Sequence, residues 1–359
     1  MLSTGAAAVC SLLLVGCVTH LAQADGLGQY AGQCLVGEPP LYDPEQAGNV
    51  PTFIVNLDES PETRWNHIVV KYVTQIQAAL DTVKKMVGVV ENGILYDVLV
   101  HFMTGAVDSI QEPYRTELYA IANATGISVG EFTLMNLFYE VSKGCTSIVA
   151  QDANGVLYHA RNQDFGTFFI WDTVAHQWEQ TETLRNLLIN VNFIQNGRPL
   201  FFGVTFAGHL GVLTGLRQHA FTLSTNARFG STLPTLIPWL LEGGNARHFL
   251  MYTDRDVMQN AKNFQEAKDY LSTVQLFGSA YFILGGTQPG EGVIITRGPN
   301  STDHVASMNA SDPNGWYVLQ TNYDWDRDPL FLDDRRTPGN MCMQALTQAN
   351  VDHSGLYQV

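Results

Sequence analysis

Positive charge is scarce in this chain: 19 Lys and Arg stand against 34 Asp and Glu, a formal net charge of −15. Nucleic-acid binding needs clustered Lys and Arg along the phosphate backbone, so the balance speaks against such a partner. Charged residues of either sign make up only 15% of the chain, against roughly 25% in ordinary soluble proteins. Much of the surface is therefore neutral polar or apolar. The ten His and five Cys show no zinc-ligand spacing, and no Gly-rich run has the order of a phosphate loop or dinucleotide fingerprint. Neither a metal nor a nucleotide cofactor is expected. No apolar run approaches the roughly 20 residues that span a bilayer, and there is no internal repeat.

What is present is ample apolar material, 45% of the residues, enough for one large core or two modest ones. The sequence pI of about 4.9 fits an acidic compartment, where protonated carboxylates relieve self-repulsion. Residues 1–24 read as a signal peptide: an apolar run from Gly5 to Val18 ends in Ala22-Gln23-Ala24, a small-x-small cleavage site, although no Lys or Arg precedes it. Its removal takes Cys10 and Cys17 and leaves Cys34, Cys145 and Cys342. In an oxidising compartment an odd count implies one pair and one free thiol, and three pairings are open. Asn123-Ala-Thr, Asn300-Ser-Thr and Asn309-Ala-Ser are glycosylation sequons. A secreted or lysosomal protein is expected.

The chain changes character part-way along. Phe53 to Leu57 is strand-like. Trp65, Val69, Tyr72, Ile76, Leu80, Val83 and Val87 then recur at steps of three and four, one apolar helical stripe. Further helices are predicted over Tyr96 to Val107, after Pro113, and over Phe132 to Val141, the last opened by the capping box Ser128-Val-Gly-Glu131. Beyond Gly144 strands take over. Thr146 to Ala150 and Val156 to Ala160 flank Asn154-Gly155, while Leu187 to Ile194 and Pro199 to Thr205 flank Asn196-Gly197; both dipeptides are hairpin signals. Ala220 to Thr225 reads as a strand and Leu233 to Thr273 as helical. Tyr281 to Leu284 pairs with Gly292 to Thr296 around Pro289-Gly290. Trp316 to Thr321 is a last strand before a polar, irregular tail. Strands, then helices, then strands give an α+β class with stacked sheets covered by helices. The predicted units are a leader, 1–24, a helical segment, 25–144, and a catalytic segment, 145–359.

Cys145-Thr-Ser-Ile-Val-Ala150, followed by His159-Ala-Arg-Asn-Gln-Asp-Phe-Gly166, resembles the nucleophile region of the acid ceramidase and N-acylethanolamine acid amidase family, within the N-terminal-nucleophile hydrolases. The likeness is collinear over most of the chain. It takes in Asn56-Leu-Asp58 with Arg64-Trp65, Phe206-Ala-Gly-His-Leu-Gly211, Leu213-Thr-Gly215, Tyr281 to Gly286 and Gly292 to Arg297. It continues through Gln320-Thr-Asn-Tyr-Asp324 and Phe331-Leu-Asp-Asp-Arg-Arg-Thr-Pro338. The last run with Met341-Cys342, and the early Cys34, is more similar to the ceramide-cleaving branch than to the ethanolamide-cleaving one.

The chemistry can be built from the residues. A cysteine freed at a new amino terminus carries a nucleophile and a base on one residue: the thiol attacks an amide carbonyl, and the α-amine, ordinarily titrating at roughly 7.7–8.0, takes its proton. A neighbouring Arg161 would push that amine down by like-charge repulsion. The resemblance implies an αββα sandwich, cleavage between Gly144 and Cys145, and hydrolysis of ceramide to sphingosine and a fatty acid through a thioester. It implies that Asp164 holds the α-amine, Arg161 orders the site and the substrate carbonyl, Asn322 gives its NH₂ to the oxyanion, and Arg335 fixes Asp164 or another carboxylate. It makes Cys145 a free thiol and so implies a Cys34–Cys342 bridge between the two segments. It further implies that the helical segment touches the membrane presenting the lipid, with a lipid-presenting activator protein as a partner, and that strands continue beyond Val359. The apolar run Phe168-Phe169-Ile-Trp171 and Asn226 are expected to bind substrate. Where the family has Asn-Glu-Arg-Phe, this chain reads Asn226-Ala227-Arg228-Phe229, so no carboxylate role carries over to position 227.

Overall fold

A computed structural model describes residues 34, 49–91, 94–141, 144–164, 171–172, 177–228, 247–330 and 333–359. The leader, Phe168 and Phe169 lie outside them. Two sheets stack in the middle of the molecule. The larger has eight strands, taken here in spatial order: β1 (Thr52–Asn56), β6 (Leu188–Gln195), β7 (Arg198–Phe206), β8 (Thr214–Arg217), β9 (Phe221–Ala227), β10 (Ala280–Gly285), β11 (Gly292–Arg297) and β12 (Thr302–Ser307). The smaller has three: β13 (Tyr317–Gln320), β2 (Gly144–Gln151) and β3 (Leu157–Asp164). A two-stranded ribbon of β4 (Trp171–Asp172) and β5 (Gln177–Trp178) stands apart. Every neighbouring pair is antiparallel except β1 with β6, which run parallel.

Helices cover the outer faces. Before Gly144 come α1 (Asn66–Val69), α2 (Val73–Glu91), α3 (Ile94–Ala106), α4 (Tyr114–Thr125) and α5 (Val129–Val141). After it come α6 (Glu179–Arg185), α7 (Leu250–Asn260), α8 (Phe264–Thr273), α9 (Arg336–Leu346) and α10 (His353–Tyr357). The stripe read from sequence is buried here: Trp65, Val69, Ile76, Leu80 and Val83 join Val191, Phe193 and Phe201 of the large sheet in one core. A second apolar layer, with Val149, Tyr281, Ile283, Ile294 and Val318, fills the space between the sheets. A third, with Ile148, Ala150, Tyr317, Met343 and Leu346, lies between the small sheet and α9. The order is thus helix, sheet, sheet, helix: an αββα sandwich of the α+β class.

Local chemistry explains the joints. Asn196 and Gly197 both take positive φ, 52° and 69°, which the two-residue turn between β6 and β7 demands. Ser128 and Glu131 form the reciprocal cap of α5, with Glu131 N–H on Ser128 Oγ at 3.2 Å and Ser128 N–H on Glu131 Oε2 at 3.1 Å. Two expectations need correction. The helical stripe is interrupted at Val70–Tyr72, and the tail is not irregular, because α9 and α10 bury Gly339, Cys342, Met343, Leu346 and Leu356 against the small sheet. Helical spacing of so few apolar residues, between polar ones, leaves too thin a pattern to see in sequence. The strands β8 and β12 were also not foreseen as separate elements.

Candidate active site

Cys145 is the second residue of β2, wholly buried, and the only free thiol among the described residues. Strand alternation sends 145, 147 and 149 to the face that meets the large sheet, and 146 and 148 to the face that meets α9. The contacts agree: Ser147 Oγ reaches Asn226 and Ser224 on β9, at 2.8 and 3.0 Å, while Thr146 Oγ1 lies 3.4 Å from Arg335. Cys34 and Cys342 form a disulfide with Cα atoms 5.3 Å apart, tying the first segment to α9 and leaving Cys145 reduced.

Two guanidinium groups converge on Cys145 from opposite faces of the small sheet. Arg161, paired across the β2–β3 ladder with Ser147, places Nη2 3.4 Å from the Cys145 sulfur. It is held there by the carbonyls of Leu213 and Thr225, the latter at 2.7 Å, and by Thr214 Oγ1 at 3.1 Å. Leu213 and Thr214 thus serve the site through the arginine they hold. Arg335 Nη1 donates to the Cys145 carbonyl at 2.7 Å and Nη2 to Asn322 Oδ1 at 2.8 Å, while Asp333 anchors its Nε at 3.0 Å. Among the described residues, Asp333 is a carboxylate that Arg335 fixes. Asp164 stands opposite Gly144 in the ladder, but its side chain lies outside the described residues.

Asn322 Oδ1 accepts from the Cys145 N–H at 2.8 Å as well as from Arg335, and two donors on one atom fix which end is oxygen. Its Nδ2 donates to the Ala227 carbonyl at 2.7 Å. In the intact chain the side chain thus holds the nitrogen of the Gly144–Cys145 peptide through its oxygen, and one hydrogen of its NH₂ goes to the Ala227 carbonyl. Asn226 is fully buried, with Oδ1 accepting from Ser147 and Nδ2 donating to the carbonyls of Gln320 and Thr321 at 2.9 and 3.2 Å. Both ends of its amide are engaged by protein groups. Trp171 begins the β4–β5 ribbon, its side chain outside the described residues.

The electrostatics follow from burial and pairing. Arg228 clasps Asp324 with Nε on Oδ1 at 2.7 Å and Nη2 on Oδ2 at 2.9 Å, and its Nη1 pairs with Asp303. Burial alone would raise the Asp324 carboxyl, but hydrogen bonds from Arg228 and Tyr281 hold it below the usual carboxylate range. His159, two residues before Arg161, bonds Thr222 Oγ1 at 2.8 Å and Ser224 Oγ at 2.9 Å. Desolvation between the sheets, then the Arg161 charge, lowers it to about 3. His159 also lines a cavity of about 320 Å³ beside Thr214 and Phe202. Among the described residues no group of three or more His, Cys, Asp or Glu could hold a metal ion. None of the described helices is long and apolar enough to cross a membrane.

Comparison with known proteins fits this geometry. Residues 145–325 match the family model of linear amide C–N hydrolases, choloylglycine hydrolase family, and residues 48–108 match the model of the beta subunit of N-acylethanolamine-hydrolyzing acid amidase. A probable acid ceramidase of Caenorhabditis elegans is 42% identical over 331 residues, covering 91% of this chain and 82% of that protein. The chain belongs to the acid ceramidase family of linear amide hydrolases. The acid ceramidase of Homo sapiens is a further relative, 35% identical over 353 residues, 97% of this chain and 89% of its own length. Among solved structures of the family, the Caenorhabditis elegans N-acylethanolamine-hydrolyzing acid amidase ortholog aligns at 32% identity with a TM-score of 0.48, covering 60% of this chain and 84% of that one. The second residue of β2 is the point at which the amide hydrolase match begins, so the family boundary and the buried thiol coincide.

Sequence reading missed Ser147 and Asp333. Ser147 carries a legible signal, since period-two alternation puts it on the same face as Cys145. Asp333 stands beside Asp334 in a run of charges, and only the fold says which of the two meets Arg335.

Proposed function

We propose that this chain cuts itself between Gly144 and Cys145 and then hydrolyses the amide bond of ceramide, releasing sphingosine and a free fatty acid. The observation that carries the reading is a buried, unpaired Cys145 sulfur beside the Arg161 guanidinium, with its own peptide nitrogen gripped by Asn322. In the first reaction the sulfur attacks the Gly144 carbonyl carbon. The C–N bond breaks, the nitrogen takes the thiol proton, and an N-to-S acyl shift leaves a thioester that water opens. Gly144 then ends in a carboxylate and Cys145 begins with an amine. Asn322 Oδ1, already accepting from that nitrogen, remains placed to accept from the amine and orient it towards the sulfur.

The second reaction repeats the chemistry on the lipid. The thiol attacks the fatty-acyl carbonyl, the amine takes the thiol proton and passes it to the leaving sphingosine nitrogen, and water releases the fatty acid from the thioester. Arg161 offers positive charge to the sulfur as it becomes anionic. Removal of a leader ending at Ala24 and delivery to the lysosome or outside the cell are part of this reading. The three sequon asparagines Asn123, Asn300 and Asn309 are all exposed, as glycan attachment requires. So is a disulfide-linked pair of segments, 25–144 and 145–359, that meets its lipid at a membrane surface or on a lipid-presenting protein.

A Cys145→Ala protein is expected to remain one chain under reducing conditions and to release no sphingosine at acidic pH. Two fragments split at this junction would refute self-cleavage. The match of residues 48–108 to the N-acylethanolamine amidase subunit model keeps a second substrate in view, and turnover of ceramide against palmitoylethanolamide separates the two.

A further inference from the structure

Asn226, Ala227 and Arg228 close β9 and step just past it, and none of them touches the Cys145 sulfur. We propose that these three residues form a mould for the segment Gln320 to Asp324, and that Asn226 and Arg228 are positioning residues that hold Asn322 against the Cys145 nitrogen. This rests on the reading of Cys145 as the nucleophile.

The three grips are consecutive on one partner and run in step along the other. Asn226 Nδ2 takes the carbonyls of Gln320 and Thr321, just before Asn322. Its Oδ1 accepts from Ser147 on the strand that carries Cys145, so the amide cannot turn over. The Ala227 carbonyl takes Asn322 Nδ2 at 2.7 Å. Arg228 clasps both oxygens of Asp324, two residues after Asn322, and Tyr281 adds its hydroxyl to the same carboxylate at 2.8 Å. A planar guanidinium on a carboxylate fixes direction as well as distance. The backbone before Asn322, its own side chain and the residue two beyond are thus all set by one stretch of three residues.

The mould also accounts for the place where this chain departs from its family's motif. Position 227 contributes a backbone carbonyl. Strand alternation puts its side chain on the face of Thr225, whose Oγ1 bonds Asp254 on α7 at 2.8 Å. The grip on Asn322 therefore needs no carboxylate at 227, and alanine there leaves it whole.

The test is a double-mutant cycle on the full chain, read by kcat and KM with ceramide and by the rate of self-cleavage. Arg228→Gln removes the charge and the clasp, whereas Arg228→Lys keeps a charge without the two-point grip. A misplacement near 1 Å costs up to about 100-fold in rate. Arg228→Gln is expected to lower kcat roughly 10- to 100-fold with KM changed less than about threefold. Arg228→Lys should fall between it and the parent. In an Asn322→Ala background the same Arg228→Gln change should cost less than about threefold. Equal losses in both backgrounds, a change confined to KM, or unimpaired kcat in Arg228→Gln would each overturn the proposal. If Asn322→Ala turns over too slowly to measure, the labelling rate of Cys145 by a thiol-reactive lipid probe takes the place of kcat in the same cycle. Activity surviving in Cys145→Ala would instead sink the nucleophile reading, so the two failures are distinct.

Discussion

A single histidine sets part of the pH response. His159 is held neutral between the sheets, depressed to about 3 by desolvation and by Arg161, whereas in the unfolded chain it titrates near 6.5. Between those values the unfolded state binds the extra proton, so stability rises with pH and falls as the solution is acidified. The contribution is complete above about pH 6.5 and is lost progressively towards 3, by at most about 1.4 kcal/mol per pH unit. Urea unfolding at several pH values from 4.5 to 6.5 should give His159→Gln a shallower slope than the parent; parallel slopes would contradict this. The residues that sequence reading singled out divide by how local their task is. Cys145, Arg161 and Arg335 were legible because a recurrent motif surrounds each. The partners of Asn226 were not legible, because Gln320 and Thr321 are brought to it only when the two sheets stack.

Among the elements, the hairpins and the capped helix were legible because their signals are short-range. Asn196-Gly197 and Ser128 with Glu131 act within a few residues of themselves. The helices after Arg335 were not, since their burial is owed to the small sheet and hardly at all to a pattern of their own. Between α3 and α5 a glycine decides how closely two helices meet. A β-carbon added at Gly130 would come within 2.5 Å of the Val100 carbonyl oxygen and closer still to Thr104 Oγ1. Backbone cannot give way as a side chain can. Gly130→Ala should therefore destabilise the protein by about 1–3 kcal/mol despite the better helix propensity of alanine. Denaturant unfolding measures it, and a gain in stability would mean that the helices can separate without loss.

Across the whole molecule, a buried ion pair joins the residues before Gly144 to those after it. Glu117 on α4 receives Arg255 of α7 at 2.5 and 2.8 Å, both wholly buried, and Arg64 at 3.4 Å. Burial works to lower Arg255, but the Glu117 charge and hydrogen bonds raise it above the ordinary arginine value. Removing the anion strands two cations in the core, so Glu117→Gln should cost about 3–5 kcal/mol in the midpoint and slope of chemical unfolding. A loss below about 1 kcal/mol would mean that water reaches the pair. None of this was readable in sequence, because Glu117 and Arg255 lie 138 residues apart and each sits in an unremarkable helix.

β1 belongs to the segment before the cleavage point, yet it is a hydrogen-bonded strand of the sheet built from the segment after it. The cut proposed between Gly144 and Cys145 would therefore make two polypeptides without making two folding units. Among the described residues the shorter piece would have no sheet of its own to fall back on, and the longer one would be left with a bare β6 edge. Two such pieces would share one thermodynamic fate, and the Cys34–Cys342 link would keep them within reach of each other if they came apart.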